Sequence, residues 1–230
     1  LYSTFLQRAY DQLVHDGTLQ EQKVIIGVDR AGFVGEDGVT HQGLLDVSLV
    51  NSVPGATIYS PFTFEVLRKD LRNAVKNASN LTVIRYPRGG ETIIPSTYNI
   101  TDNDFDYFNN NSLKLIISYG RVTAEVINAI EQLKNKEIYI SILSLNKIKP
   151  INNEVYDIAL KHNEIYFYEE SVRSGSIGQS FADSLFEKGY NGKYEHVAVD
   201  DAFVPHATVK SLLKKFNLDT VSIVEKFSEK

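Results

Sequence analysis

The apolar residues of the first 95 positions alternate between helical spacing and short β-branched runs. The apolar residues among positions 5–14 recur at helical spacing and predict a helix. The run Val24–Val28 predicts a buried strand. A short strand near Ala56–Tyr59 precedes a helix that starts at Ser60-Pro61, with serine as N-cap and proline in the first turn. A further strand follows at Leu81–Arg85. The buried face of the helix is predicted to comprise Val66, Leu67, Leu71 and Val75.

The remainder of the chain repeats the strand-helix pattern after a polar segment. Residues 96–111 carry Asn, Asp and Thr with a few aromatics and no steady period, which predicts a linker. Strands are predicted at 113–118, 137–143, 165–168 and 195–199, helices at 123–134, 152–162 and 179–188, and two more helices in the tail from 208. The pattern therefore predicts two α/β domains with mostly parallel sheets and flanking helices, at 1–95 and 112–230.

The composition of the chain excludes several classes of protein. The 230 residues are 43% hydrophobic, which suffices for one large core or two modest ones. The formal net charge is -5, and charges of both signs are scattered along the sequence. The chain has no basic stripe that could neutralise a nucleic-acid backbone, so nucleic acid is not expected as a partner. No apolar run approaches the roughly 20 residues of a membrane helix, and the first residues lack a signal-peptide pattern, so a cytoplasmic protein without a membrane partner is expected.

The numbers of cysteine, methionine and histidine residues further limit the kinds of site that the chain is expected to contain. The chain has no cysteine, which excludes disulfides, thiolate metal sites and cysteine nucleophiles. Its five histidines show no metal-ligand spacing, so no metal site is predicted. The absence of methionine suggests that a preceding segment has been removed or left out.

The densest cluster of chemically useful residues is the loop Asp29–Gly43, directly after a predicted buried strand. It contains Arg30, Asp37, His41 and four glycines, the last of which is Gly43. In parallel α/β sheets, ligands bind beyond the carboxyl ends of strands, and glycines let backbone approach them closely. The loop therefore predicts a site for a phosphorylated or carboxylated substrate beside a proton-transfer group. A surface turn with solvated charges is the equally weighted alternative.

Three other segments give weaker signals. Arg85 and Arg88 follow a predicted strand and, together with Arg30, are able to clamp a phosphate, although surface solubility explains either arginine as well. Gly175–Gly178 before a helix resembles an anion-binding loop, but such loops are more often tight turns. Glu169-Glu170 is predicted to point to opposite faces of a strand, which disfavours a paired acid-base role.

Three stretches in the same order resemble the 1-deoxy-D-xylulose-5-phosphate synthase family. They are Tyr2–Gln12, the loop from Asp29–Gly32 to Thr40–Gly43, and Arg85–Gly89. Looser similarity continues at Ile116–Gly120, Ile148–Pro150, Glu169-Glu170 and Phe203–His206. The resemblance implies the later part of a transketolase-type pyrimidine-binding domain followed by a carboxy-terminal domain with a role in homodimer formation.

What the resemblance implies for function is specific. The family enzyme is a thiamine-diphosphate-dependent transferase that requires Mg²⁺. It condenses pyruvate with D-glyceraldehyde 3-phosphate, releases carbon dioxide and makes 1-deoxy-D-xylulose 5-phosphate for isoprenoid, thiamine and pyridoxal synthesis. By position, Phe5 is implied to stack on the aminopyrimidine of the cofactor and Tyr2 to line the same pocket. By the same resemblance, Arg30 and Arg88 are implied to bind the phosphate of the substrate. His41 is implied to transfer a proton or to stabilise the covalent pyruvate adduct, and Asp37 to orient His41 or the acceptor substrate.

Two features of the family are missing from these 230 residues. The glutamate that protonates the aminopyrimidine and the motif that binds Mg²⁺ and diphosphate both belong upstream of Tyr2. The resemblance therefore implies that this chain is inactive alone, as a truncated product or as a subunit whose partner supplies the diphosphate-binding part. Two alternatives stay open: a split transketolase-like subunit that works with a separate diphosphate-binding chain, and a non-catalytic dimerisation module.

Overall fold

The computed structural model describes residues 1–228, over which the chain forms two mostly parallel sheets with helices on their faces. The strands are β1 (Ile25–Asp29), β2 (Thr57–Tyr59), β3 (Thr82–Tyr86), β4 (Phe105–Phe108), β5 (Lys114–Tyr119), β6 (Ser141–Leu145), β7 (Lys147–Lys149), β8 (Glu164–Val172) and β9 (Lys193–Val199). The α-helices are α1 (Tyr10–Gln12), α2 (Asp46–Asn51), α3 (Phe64–Asn77), α4 (Val122–Lys134), α5 (Asn153–Ala159), α6 (Ile177–Glu187), α7 (Val209–Lys215) and α8 (Thr220–Ser228). The predicted α/β class is confirmed.

The first predicted helix exists but is irregular. A 3₁₀ segment at Ser3–Ala9 passes through α1 into a π-helical segment at Leu13–Thr18. Leu6 and Leu13 are buried against the first sheet, whereas Phe5 is turned outward. Of the apolar residues at helical spacing between positions 5 and 14, Leu6 and Leu13 are therefore buried and Phe5 is not.

The first sheet has the strand order β1-β3-β2-β7. The strands β1 and β2 pair in parallel with β3, and β7 adds an antiparallel edge next to β2. This edge strand comes from the second half of the chain and was not predicted. Lys149 on β7 donates from Nζ to the carbonyl oxygens of Asn51 and Val53, both at 2.6 Å, and so satisfies carbonyl groups at the end of α2.

The second sheet has the order β4-β6-β5-β8-β9. Its central strand β5 is almost entirely buried, because α4 covers one face with Val122, Val126, Ile130 and Leu133. The edge strand β4 runs antiparallel to β6 and lies inside the segment 96–111 that was predicted to be a linker. Its aromatic residues at 105, 107 and 108 pack on the sheet, and this packing outweighs the strand-disfavouring Asn and Asp around them.

Helix α3 begins later in the chain than predicted, and it buries different residues. It starts at Phe64, and its N-cap is Thr63, whose hydroxyl accepts from the Val66 amide at 3.2 Å. Ser60 instead accepts a hydrogen bond from Arg85 in the protein interior. Of the predicted buried face, Leu71 and Val75 are 48% and 58% exposed. The buried positions are Val66, Asp70 and Ala74, because the helix turns Asp70 toward Asn146 beside β7.

We expect the buried Asp70 to make the stability of the protein fall as pH rises. Its side chain is 3% exposed, its Oδ1 accepts from Asn146 at 3.1 Å, and its Oδ2 has no hydrogen-bond partner among residues 1–228. Burial raises the pKa of Asp70 to about 6. Because the folded pKa lies above the unfolded value of about 3.9, the free energy of unfolding falls between about pH 4 and pH 6 and stays low above that range.

The substitution Asp70→Asn removes this buried charge and keeps an acceptor for Asn146. At pH 7.5 we expect it to raise the free energy of unfolding by about 1–2 kcal/mol, and at pH 4.5 by much less. Urea denaturation at both pH values measures the difference. The exposed Asp201→Asn serves as the matched control and is expected to show no such change. An equal effect of Asp70→Asn at the two pH values would contradict the assignment.

Candidate active site

The six residues predicted for the site lie together at one edge of the first sheet. Because β1 pairs in parallel with β3 and Asp29 is opposite Tyr86, the loop after β1 and the segment after β3 leave the sheet side by side. Tyr2 joins this edge through a parallel bridge to Asp29. The assembled residues are Tyr2, Phe5, Arg30, Asp37, His41 and Arg88.

Asp37 is the centre of the polar part of the site. Its Oδ2 accepts from the Tyr2 hydroxyl at 2.6 Å, and its Oδ1 accepts from Arg88 Nη1 at 3.0 Å. Arg30 Nε lies 3.7 Å from Asp37 Oδ2, while the Arg30 guanidinium also pairs with Asp29 and lies 4.7 Å above the Tyr2 ring. Two guanidinium groups and a phenol thus converge on one carboxylate, and the same donors are suited to an anionic ligand.

These contacts shift two pKa values in opposite directions. The hydrogen bond from Tyr2, opposed in part by desolvation and aided by the charge of Arg88, lowers the pKa of Asp37. Burial, followed by the hydrogen bond to Asp37, raises the pKa of Tyr2 to about 12. At neutral pH, Tyr2 is therefore a hydrogen-bond donor and Asp37 an ionised acceptor.

Three aromatic rings form the apolar part of the site. The ring centroids of Tyr2, Phe5 and His41 lie 5.3–5.7 Å from one another in tilted and edge-on arrangements. Phe5 is 39% exposed, so part of its ring is open to a ligand. The Thr40 hydroxyl is 2.7 Å from His41 Nδ1, which leaves His41 Nε2 as the ring nitrogen available to a ligand.

The loop that carries these side chains is folded back on itself. Gly32 and Gly43 exchange backbone hydrogen bonds of 2.6 and 2.8 Å, which closes the loop at its base. Arg30 and Gly32 have φ angles of 59° and 86°, in the left-handed region. Such angles favour glycine, and Arg30 adopts one while its side chain is fixed by Asp29 and Tyr2.

Four residues that bear on the site have roles not predicted from the sequence. Arg85 was a candidate for a phosphate clamp, but it is buried and pairs with Asp46 at 2.9 Å, so only Arg88 of the two reaches the site. Glu170 on β8 and Arg121, just before α4, contact the loop at Phe33. Spacing along the chain gives no signal for these contacts, because the partners are separated by 39 to 137 positions.

The two weaker signals near residue 170 have structural explanations. The amide at the start of α6, from Gly178, donates to Glu169 Oε1 at 3.0 Å, so this helix start is occupied by a carboxylate of the same chain. Glu169 also binds Tyr119 and His196, whereas Glu170 faces Arg121 and Phe33. The two carboxylates therefore point to opposite faces of β8, as predicted.

Neither a metal cluster nor a membrane span is found in the described part of the chain. Within residues 1–228, no group of three or more His, Asp or Glu side chains is arranged to hold a metal ion. No helix in the same range has the length and apolar character needed to cross a bilayer.

Comparison with known proteins defines the class of protein to which this fold belongs. Residues 1–90 match the family model of the transketolase pyrimidine binding domain, and residues 111–223 match that of the transketolase C-terminal domain. A solved split gene transketolase, described as an inactive beta4 tetramer, superposes with a TM-score of 0.84 at 20% identity over 99% of this chain and 74% of its own. The transketolase from Campylobacter jejuni superposes with a TM-score of 0.78 at 14% identity over 100% of this chain and 35% of its own. The chain therefore belongs to the transketolase family.

Within that family, the similar curated proteins are 1-deoxy-D-xylulose-5-phosphate synthases. The synthase of Listeria monocytogenes is 35% identical over 100% of this chain and 38% of its own length. That of Clostridium botulinum is 36% identical over 97% of this chain and 36% of its own. These relatives confirm the resemblance seen in the sequence, and the chain spans less than two fifths of their length.

The link between Tyr2 and Asp37 gives a direct test of the site geometry. We expect Asp37→Asn to lower the pKa of Tyr2 from about 12 toward the ordinary value of about 10, because the ionised acceptor is lost while burial remains. Carbon NMR of protein labelled at tyrosine Cζ measures this pKa, and Tyr2→Phe identifies the resonance. Asp201→Asn is the control for a general loss of charge. An unchanged Tyr2 titration in Asp37→Asn would show that the two groups are not bonded in solution.

Proposed function

We propose that this chain forms the pyrimidine-binding and carboxy-terminal domains of a 1-deoxy-D-xylulose-5-phosphate synthase. In this proposal the assembled enzyme condenses pyruvate with D-glyceraldehyde 3-phosphate, with loss of carbon dioxide. The observation that carries the proposal is the convergence of Arg30, Arg88 and the Tyr2 hydroxyl on Asp37 beside the open ring of Phe5. The curated relatives support it, since they are synthases of this reaction by name.

The aromatic group fits the pyrimidine ring of thiamine diphosphate. The ring of Phe5 is partly exposed, and it is flanked by Tyr2 in a tilted arrangement and by His41 in an edge-on arrangement. A flat heterocycle stacks well on such a ring, so Phe5 is proposed to hold the cofactor and Tyr2 to line the same pocket. When bound, thiamine diphosphate supplies the electron sink for decarboxylation of pyruvate and carbon-carbon bond formation.

The guanidinium groups of Arg30 and Arg88 are proposed to bind the phosphate of D-glyceraldehyde 3-phosphate. Both now lie against the Asp37 carboxylate, which accepts from Arg88 and is 3.7 Å from Arg30. A phosphate offers more acceptor oxygens and more charge than this carboxylate does. Asp37 keeps the two arginines close together before the substrate arrives and then remains bonded to Tyr2.

His41 is proposed to transfer a proton or to stabilise the charge that develops on the pyruvate-derived group. Its Nδ1 is engaged by Thr40, whose carbonyl oxygen accepts from Thr4 at 2.9 Å. The ring is thus fixed in position, with Nε2 available at the edge of the aromatic group. An imidazole is suited to this role near neutral pH.

The remaining functions of the enzyme are proposed to reside in polypeptide other than residues 1–230. These functions are the binding of the diphosphate and of Mg²⁺ and the glutamate that activates the cofactor. The share of the relatives that this chain spans, 36–38%, supports this division. We further propose a homodimer in the cytoplasm; the exposed apolar side chains of Phe64, Leu71 and Val75 on α3 offer contact surface for assembly.

Turnover by the chain alone and by a completed enzyme tests this proposal. Residues 1–230 with thiamine diphosphate, Mg²⁺ and both substrates are expected to release no carbon dioxide. A chimera that places them after the preceding part of the Listeria monocytogenes relative is expected to be active, and its His41→Ala variant much less so. Turnover by residues 1–230 alone would refute the division of functions, and a folded chimera that binds the cofactor without turnover would refute the synthase activity.

Substrate phosphate binding is tested by Arg88→Ala in the same chimera. We expect the KM for D-glyceraldehyde 3-phosphate to rise about 10- to 100-fold, which corresponds to loss of a charge-assisted hydrogen bond of about 1.5–3 kcal/mol. The KM for pyruvate is expected to change little. Arg72→Ala on the exposed surface of α3 is the matched control. Equal effects of Arg88→Ala on both substrates would argue against a phosphate contact.

A further inference from the structure

The loop that carries Arg30, Asp37 and His41 is held by two charged side chains from the second half of the chain. Glu170 on β8 accepts from the Phe33 amide through Oε1 at 2.6 Å. Arg121, just before α4, donates from Nη2 to the Phe33 carbonyl oxygen at 3.1 Å. Both polar groups of one residue in the site loop are therefore satisfied by the other half of the chain.

Glu170 and Arg121 also bind each other. Arg121 Nη2 pairs with Glu170 Oε1, and Arg121 Nε lies 3.3 Å from Glu170 Oε2. The side chains are only 6% and 11% exposed, so neither charge is effectively screened by water. Removing one partner leaves the other charge buried and the Phe33 backbone group without its partner.

The sequence of the loop is adapted to this contact at Gly32. A Cβ atom at position 32 would lie 2.4 Å from the Glu170 carboxylate, and the φ angle there is 86°. The carboxylate thus approaches the loop backbone at a place where any side chain would clash. Phe33 itself is buried and stacks on Phe216 with ring centroids 5.3 Å apart, which fixes the same point of the loop from another side.

The other end of the loop is held by the next two residues of the same strand. The Val172 amide and the Ser171 hydroxyl both donate to the Leu44 carbonyl oxygen at 3.1 Å. Leu44 follows Gly43, which closes the base of the loop with Gly32. Residues 170–172 of β8 therefore hold the loop at Phe33 and at Leu44. Asp37 and His41 lie between these two points, and Arg30 precedes the first of them by three residues.

We infer that Glu170, together with Arg121, is a positioning residue that sets the arrangement of Arg30, Asp37 and His41. Its role in substrate binding rests on the proposed function, whereas its hold on the loop does not. Glu170 contacts none of the six site residues, so it acts through the Phe33 backbone, three residues after Arg30 and four before Asp37. The carboxy-terminal domain in this way contributes to the geometry of a site that lies on the other domain.

The test compares three variants of the 230-residue chain. Glu170→Ala removes both contacts of Oε1. Glu170→Gln keeps an oxygen that is able to accept from both Phe33 and Arg121, so it is the conservative variant expected to restore the geometry. Glu169→Gln changes the neighbouring buried carboxylate, which binds Tyr119 and His196 on the opposite face, and it reports on general damage to β8.

Three readouts are measured for each variant: amide hydrogen exchange in residues 30–43, the pKa of Tyr2, and the affinity for inorganic phosphate by calorimetry. For Glu170→Ala we expect at least tenfold faster exchange in the loop, a Tyr2 pKa closer to 10 as Asp37 moves away, and about tenfold weaker phosphate binding. For Glu170→Gln we expect values within about threefold of the parent chain. Glu169→Gln is expected to leave the Tyr2 pKa unchanged.

The outcomes separate this inference from the proposed function. Equal effects of Glu169→Gln and Glu170→Ala on Tyr2, or no effect of either, would overturn the positioning role. Failure of Glu170→Gln to restore the loop in a folded protein would overturn it as well. If the parent chain binds no phosphate while the loop and Tyr2 respond only to Glu170→Ala, phosphate binding by the two arginines is refuted and the positioning role of Glu170 is supported.

Discussion

The parallel register of β1 with β3 is the constraint on which the candidate site depends. With Asp29 opposite Tyr86, both strands end at the same edge of the first sheet, and Arg30 and Arg88 follow their respective strand ends. Two cations so close together repel each other, and the Asp37 carboxylate between them offsets that repulsion. A shift of one residue in this pairing would turn the side chains of one strand to the opposite face and separate the two arginines.

Much of the fold follows from apolar periodicity and strand propensity, as β5, α4 and β8 show. The errors arise where a distant contact outweighs a local preference. Helix α3 turns the polar Asp70 inward because Asp70 accepts a hydrogen bond from Asn146, 76 positions away. Leu71 and Val75 are exposed as a result. The strands β4 and β7 are only four and three residues long, and their partners β6 and β2 decide that they form at all.

The candidate site was predictable to a greater extent than the fold details. Arg30, Asp37 and His41 occur in one glycine-containing loop after a strand, so their proximity follows from local sequence and the rule for strand ends. The positions of Tyr2 and Phe5 in the same site came from the family resemblance, whereas Arg88 was indicated both by the resemblance and by its place after a strand. The structure brings all six together. Glu170 and Arg121 were beyond either kind of reasoning, because their contacts are with a backbone group and leave no pattern in the spacing of residues.

The edge strand β7 has a consequence for how the protein is made. Lys147–Lys149 completes the first sheet by pairing with β2, about 90 positions earlier in the chain, and Lys149 closes the end of α2. During synthesis, β2 therefore leaves the ribosome long before its neighbour on one side exists, and the first sheet has an open edge for that interval. The two domains are consequently interdependent during folding, and expression of the first without the second exposes a strand edge that favours aggregation.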